Sequence, residues 1–440
     1  MSSRRRRFPL APKPPRPSAL ANRRFRWLVL LLAGVPLAAN FAWWTAVGPA
    51  LLRPSFGDQS FVFAAATAIR SGGDPYAWIA DGYTYGKPVY IYPPLWAWLQ
   101  QPLVPLGNEA AALALLALLQ LCLILFLFLV YRALGPVDPQ EAVLGVIMAI
   151  SFVPVFANLW SDQVNLVVLA VSGLLLVAHV RGDSWWGGAA YGVAMALKPL
   201  QPGVGLLLAW GRRTRMLIAA VVAGVLVSLL PGPHLLYLYL TRVFGSAAAA
   251  TGYRDNAAPA GFLVRLLHPA SFYDGSAPAD LLVRVLYGVV VLTVVGVTWW
   301  RLGWRPRVRP LGRALEVGVA VAASPLLLGI AHTFHLVLLL LPILVLLHGG
   351  FARSDRLALT AAVGGWLLVG PVHSAMLSLV SYGFNNDLVL RVWNESQLAG
   401  IVVLWLGCLH GLGERGSELD RHAVSGGLHL DPGRLGEARR

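Results

Sequence analysis

Long apolar runs, separated by short stretches rich in arginine, set the pattern of this chain. Apolar windows predict membrane-crossing helices near 27–48, 111–131, 142–159, 164–180, 215–231, 281–300, 314–330, 334–348, 357–373 and 397–412. The segment 186–211 reads differently. Arg181 flanks it on one side and Arg212, Arg213 and Arg215 on the other, and Lys198-Pro199-Leu200-Gln201-Pro202 interrupts it midway. If both basic flanks lie on one side of the membrane, a single crossing cannot join them. The segment is therefore expected to form two short helices in a hairpin. Two prolines and a lysine are tolerable at that depth only where the backbone lines protein or water. With the hairpin included, the pattern predicts an all-α polytopic membrane protein of about 12 membrane segments.

Composition agrees with lipid as the main solvent. The 440 residues are 57% hydrophobic and 12% charged, with mean hydropathy +0.65, and the 16 tryptophans suit the headgroup boundary. The net charge of +15 raises nucleic acid as a partner, but its distribution argues against that. With the N-terminus inside, 26 of the 35 lysines and arginines fall on the cytoplasmic side and 9 on the outer side, as the positive-inside rule expects. The chain is thus expected in the plasma (inner) membrane, with a basic, Pro-rich cytoplasmic tail at 1–26, a transmembrane domain at 27–412 and a second cytoplasmic tail at 413–440. A cleavable signal peptide is the rival reading of the first 39 residues, but the apolar stretch continues to about Gly48, long enough to span. External loops are predicted at 49–110 and 232–280, with a shorter one at 374–396. Cys122 and Cys408 both sit in apolar runs and read as packing residues.

Within this topology the unusual polar residues converge on the outer side. Asp58 opens an amphipathic stretch ending at Arg70, and Asp74 belongs to the turn Gly72-Gly73-Asp74-Pro75-Tyr76. Ser161-Asp162-Gln163-Val164-Asn165 joins two spans, Lys198 and Gln201 mark the hairpin tip, and Ser324-Pro325, His332 and His335 lie at a further junction. Ionisable groups at membrane depth are costly, so they are candidates for function. Each has a plainer alternative. Asp162 reads equally as a helix cap, Asp74 as a turn former, His335 as a cap or interfacial residue, and Lys198 as a snorkelling side chain. Together they describe a charged pocket that opens outward.

These residues also fall in a recognisable order. Asp58, Ala64-Ala65-Ala66, Gly73-Asp74-Pro75-Tyr76, Tyr92-Pro93-Pro94-Leu95, Asp162-Gln163-Val164-Asn165-Leu166, Ala196-Leu197-Lys198-Pro199, Ser324-Pro325 and His335-Leu336-Val337-Leu338-Leu339 resemble glycosyltransferase family 87 over roughly 27–412. That family comprises polyprenyl-phosphate-sugar-dependent mannosyl- and arabinofuranosyltransferases of the cell envelope. The resemblance implies a GT-C-like fold and an inverting transfer from a polyprenyl-phosphate sugar to a glycolipid or glycan acceptor, with the lipid bilayer as the donor's solvent.

On that basis Asp58 is expected to be the catalytic base, and Lys198, His335 and Arg265 are expected to hold the departing phosphate. Asp74, Tyr76, Tyr92, Asp162, Gln163, Asn165, Gln201 and His332 are expected to line the substrate pocket. Asp74 and Asp162 are the rival bases. The sequence shows no Gly-rich phosphate loop and no metal-ligand cluster, so neither a nucleotide-sugar donor, nor a cofactor, nor an essential metal is expected. A transporter or flippase is the alternative from another class. Discontinuous helices favour it, while one-sided charges, long external loops and the lack of an inverted repeat oppose it. A non-catalytic scaffold would leave the outer cluster unexplained.

Overall fold

The computed structural model describes residues 57–77, 90–210, 213–247, 251–269, 271–274, 280–303, 307–376 and 387–413. The predicted first span at 27–48 and both tails beyond 1–26 and 414–440 lie outside the described residues. Among those described, the chain is helical throughout, and its strand-like pairing is one isolated antiparallel bridge between Asn256 and His332.

Fifteen helices frame the argument: α1 Gly57–Arg70, α2 Pro94–Gln100, α3 Asn108–Leu134, α4 Pro139–Ile150, α5 Val153–Trp160, α6 Asn165–Arg181, α7 Trp185–Leu197, α8 Pro202–Trp210, α9 Thr214–Leu229, α10 Pro259–Leu267, α11 Leu281–Leu302, α12 Pro310–Leu327, α13 Leu340–Arg353, α14 Arg356–Leu367 and α15 Ser396–Gly413. Their boundaries follow ordinary chemistry. Proline opens α2, α4, α10 and α12 in the first turn, where its missing N–H costs nothing. Asp138, Asp280 and Asp355 cap α4, α11 and α14 by accepting backbone N–H groups. Gly135, Gly182 and Gly303 end α3, α6 and α11 at positive φ.

Among the described residues six helices are long and apolar enough to cross a membrane, or up to eight if each of two bent pairs counts as one span. The expected number of about 12 segments, one of which at 27–48 lies outside the described residues, is not confirmed, and several predicted spans take another form. The span predicted at 142–159 is two helices, α4 and α5, meeting at 46°. The one at 215–231 is α9, followed by a 105° turn into Pro233–Val243. The segment at 164–180 is the 17-residue α6, shorter than a typical spanning helix. The helix predicted from 334 begins instead as a 3₁₀ turn, Thr333–Leu339.

Helices α12 and α13 form the centre and are buried along most of their length, as their predominantly apolar sequences require. By contrast α3, α9 and α11 present bare apolar faces through Leu121, Ile124, Val221, Val225, Val289 and Leu292, the surface expected of helices in hydrocarbon. The two cysteines are buried and unbridged.

The hairpin is real, and glycines make it possible. Gly187 packs on Ala178, so α7 runs antiparallel to α6. Gly188 faces Met216 and Gly192 faces Ala220, so α7 and α9 run parallel. A side chain at either glycine would collide with the backbone carbonyl opposite, so this Gly-x-x-x-Gly spacing is what lets the two helices touch. Since α7 and α9 point the same way, α8 between them must run back. Gly203 in α8 then packs against the Ala320 carbonyl of α12, and its N–H donates to Ser324 Oγ at 3.1 Å. The molecule thus has two polar ends: a Lys198 end at the hairpin tip, and an Arg213 end where α7 and α9 begin.

Candidate functional site

At the Lys198 end the backbone is set by Pro199. A residue before proline is driven out of the helical region, and Lys198 ends α7 with φ −162° and ψ 116°. Its side chain turns inward and is 6% exposed. Nζ donates to Gln163 Oε1 at 3.0 Å and lies 4.5 Å from the centre of the Tyr92 ring and 5.0 Å from that of Phe334. Gln163 Oε1 also accepts from the Tyr92 hydroxyl at 3.1 Å. Tyr92 is positioned in turn by Tyr76, whose hydroxyl donates to the Tyr92 carbonyl at 2.9 Å while its ring stacks on Tyr90. Three predicted pocket residues, Tyr76, Tyr92 and Gln163, therefore meet Lys198 in one connected assembly.

A second assembly holds the histidines. Asn158 and Asn165 both donate to the Phe334 carbonyl, at 2.7 and 3.1 Å, and Asn165 also donates to Asn158 Oδ1 at 2.9 Å. Both asparagines are fully buried, so this clamp fixes the turn that carries His335. The His332 N–H donates to His335 Nδ1 at 3.1 Å. In the neutral ring that bond assigns the proton to Nε2. The His332 and His335 rings lie 5.5 Å apart, with Phe334 edge-on to His335 at 4.6 Å.

Other predicted residues take different places. Asp74 is a turn former: its Oδ1 accepts from the Tyr76 N–H at 2.8 Å and its Oδ2 pairs with Arg242 at 2.7 Å. Gln201 ties the hairpin tip to α6 by donating to Ser172 Oγ at 2.6 Å, and its backbone carbonyl accepts from the Tyr191 hydroxyl. Arg265, expected on the donor phosphate, is committed elsewhere. It grips Glu395 with Nε and Nη2, both at 2.9 Å, and its Nη1 donates to the carbonyls of Gly252, Tyr253 and Asn256. These bonds engage every nitrogen of the guanidinium and tie the 252–256 segment to Glu395, while one of its five N–H donors, on Nη2, remains. Asp58 lies in the first turn of α1, as expected, but its side chain lies outside the described residues. Helix α1 is held by a buried bond from Gln59 Nε2 to Gln100 Oε1 at 3.0 Å and by Arg70 donating to the Gln101 carbonyl.

Asp162 stands apart. It occupies the left-handed region at φ 49°, is 3% exposed, and makes no hydrogen bond or ion pair with any described residue. Burial pushes its carboxyl up to about 7.

Sequence reasoning missed three participants. Asn158 was hidden inside an apolar run. Phe334 acts through its ring and its carbonyl, neither of which leaves a polar signal. Asn256 is the hub of the 252–256 segment: its amide donates to the Thr251 and Gly329 carbonyls, and its Oδ1 accepts from the N–H groups of Ala258 and Ala331. A lone Asn in a predicted loop, followed by Ala-Ala-Pro, was its one visible sign.

Lys198 and His335 thus share one end of the bundle with the aromatic rings of Tyr92 and Phe334. Among curated proteins no relative of the chain was found. The sequence profile of glycosyltransferase family 87 does match, over residues 90–329. The match takes in Tyr92, the Asp162–Asn165 turn and the Lys198 hairpin, and it covers more than half of the 440 residues. A multi-pass helical chain with this hairpin tip and this profile match belongs to glycosyltransferase family 87.

Proposed function

We propose that the protein transfers a sugar, mannose or another hexose or else arabinofuranose, from a polyprenyl-phosphate donor to an envelope glycolipid or glycan at the outer face of the plasma membrane. The observation that carries this reading is the Lys198 assembly. A buried ammonium is held by a neutral amide and two aromatic faces, beside a histidine whose Nε2–H faces no protein acceptor among the described residues. The matched family supplies the reaction class.

In this mechanism an acceptor hydroxyl oxygen attacks the anomeric carbon of the donor sugar. The bond from that carbon to the phosphate oxygen breaks, and its electron pair leaves with the polyprenyl phosphate. Asp58 takes the hydroxyl proton. Lys198 and the His335 Nε2–H stabilise the negative charge that grows on the leaving phosphate, which is where fixed donors accelerate a reaction most. One displacement from the opposite face inverts the anomeric centre. Tyr92 and Gln163 hold Lys198 in place, while Asn158 and Asn165 hold His335 through the Phe334 carbonyl.

The test is direct. Purified protein is incubated with a panel of polyprenyl-phosphate mannose, glucose and arabinofuranose and a mixed envelope-lipid acceptor fraction. Consumption of one donor with release of polyprenyl phosphate is the expected result. No consumption of any donor, from protein shown to be folded, overturns the reading.

A further inference from the structure

The turn between α5 and α6 carries a carboxyl that the proposed chemistry leaves unused. Asp162 is nearly buried, it holds a left-handed backbone conformation that Gly or Asn would adopt more readily, and no described residue donates to it. A nearly enclosed carboxyl with no protein donor among the described residues must be satisfied from outside the protein, and a strained non-glycine residue adds to the cost of holding it there. Such a combination persists where a ligand completes the hydrogen bonding. Its setting indicates which ligand. The next residue, Gln163, bonds Lys198 and Tyr92, and Asn165 fixes the turn that bears His335. The unpartnered carboxyl therefore belongs to the same five-residue turn that positions both anion-facing groups.

We propose that Asp162 is a specificity-determining residue that accepts hydrogen bonds from two adjacent hydroxyls of a sugar substrate. A carboxylate presents two acceptor oxygens in one plane, which suits a vicinal diol, and a buried one discriminates strongly because a missing hydroxyl leaves it unsatisfied. The diol belongs either to the sugar on the donor or to the sugar of the acceptor. This inference rests on the transferase reading. The titratable groups on the elements packed around the turn are Tyr92, Glu109, Lys198, His332, His335 and His373, and Asp162 shares a hydrogen bond or ion pair with none of them. Its carboxyl, raised to about 7 by burial, gains charge across neutral pH, so diol binding should tighten as pH rises.

The experiment measures binding by the full chain in detergent, independently of turnover. One arm uses polyprenyl-phosphate mannose and its 2-deoxy and 3-deoxy analogues; the other uses methyl mannoside and the same deoxy forms. In one arm the wild type should prefer the parent over a monodeoxy analogue by at least tenfold, and that arm identifies the source of the diol. Asp162→Asn and Asp162→Gly both tolerate the left-handed backbone and should reduce the preference to less than threefold. Equal binding of parent and deoxy forms by the wild type in both arms overturns the proposal, as does full discrimination retained in folded variants. If donor is still consumed in the panel assay, the transferase reading survives that failure. Should neither variant fold, the wild type decides by itself: equal binding of parent and deoxy forms in both arms overturns the proposal, and a tenfold preference in one arm supports it.

Discussion

The two polar ends of the bundle bury charge in opposite ways. At the Arg213 end, Arg213 Nη2 meets Glu316 at 2.7 Å and its Nε meets Asp183 at 3.1 Å. His179 bridges the same two carboxylates at 2.9 and 3.0 Å, Arg313 approaches Asp183 at 3.6 Å and donates to the His179 carbonyl, and the Arg307 N–H donates to Glu316. Every carboxylate there has cationic partners on another segment, and the cluster ties α6, α9 and α12 together. At the Lys198 end, the described contacts of the ammonium are an amide oxygen and two rings, and Asp162 has no partner among the described residues. At the first end a closed network of ion pairs fixes helices to one another; at the second an amide and two aromatic rings help to position the ammonium. The first end reads as structural and the second is the one proposed for chemistry, although the sequence marks both with the same residue types.

Mutations test that division, beginning with the largest effect. Asp58→Asn keeps the side chain's size and capping ability but removes the basic oxygen. Turnover should fall by about 10²–10⁴-fold with donor binding retained, the usual loss for a positioned base. Near-normal turnover in Asp58→Asn, with activity abolished in Asp162→Asn, would move the base to Asp162.

At the opposite end, Arg213→Ala removes the guanidinium that Asp183 and the buried Glu316 share, breaking a buried ion pair. It should destabilise the fold by about 3–5 kcal/mol, read as a lower melting temperature in detergent. Turnover per folded molecule should change little. A large loss of turnover at unchanged stability would break the division between the ends.

Lys198→Ala should cut donor use at least tenfold, about 1.4 kcal/mol, with a melting temperature near that of the wild type. If it unfolds the protein instead, the hairpin tip is structural after all.

The smallest effect is a pH dependence. Burial alone would raise the Asp183 carboxyl, but the hydrogen bond from His179 and the charges of His179, Arg213 and Arg313 hold it below the ordinary value. A carboxyl depressed in the folded state stabilises the fold above its unfolded value near 3.9, and that contribution is lost as pH falls through the depressed value. Asp183→Asn should therefore flatten the loss of melting temperature below about pH 4 while leaving neutral-pH turnover unchanged.

Particular residues show how far the sequence could be read. Pro199 after Lys198 announced a break inside an apolar run, and the arginines on both sides required the chain to return, so the hairpin was legible from local chemistry. The turn role of Asp74 was likewise written in Gly-Gly-Asp-Pro. Arg265 could not be assigned in this way, because its partner Glu395 lies 130 positions away and no local pattern links them. Nor could the number of spans, since a 46° and a 105° bend are set by what the helices pack against and leave little trace in an apolar window.

The sequence by itself determined that the chain is a membrane-spanning helical protein, where most of its helices start and stop, and which short turns carry polar groups. Hydropathy, proline geometry and charge placement act over a few residues and need no partner. Only the tertiary structure decided which polar groups share a site. It brought Tyr92, Gln163, Phe334 and His335 around Lys198, sent Arg265 to Glu395, and left Asp162 buried without a donor among the described residues. Which groups surround a buried charge depends on neighbours brought in from distant segments, and packing alone selects those neighbours.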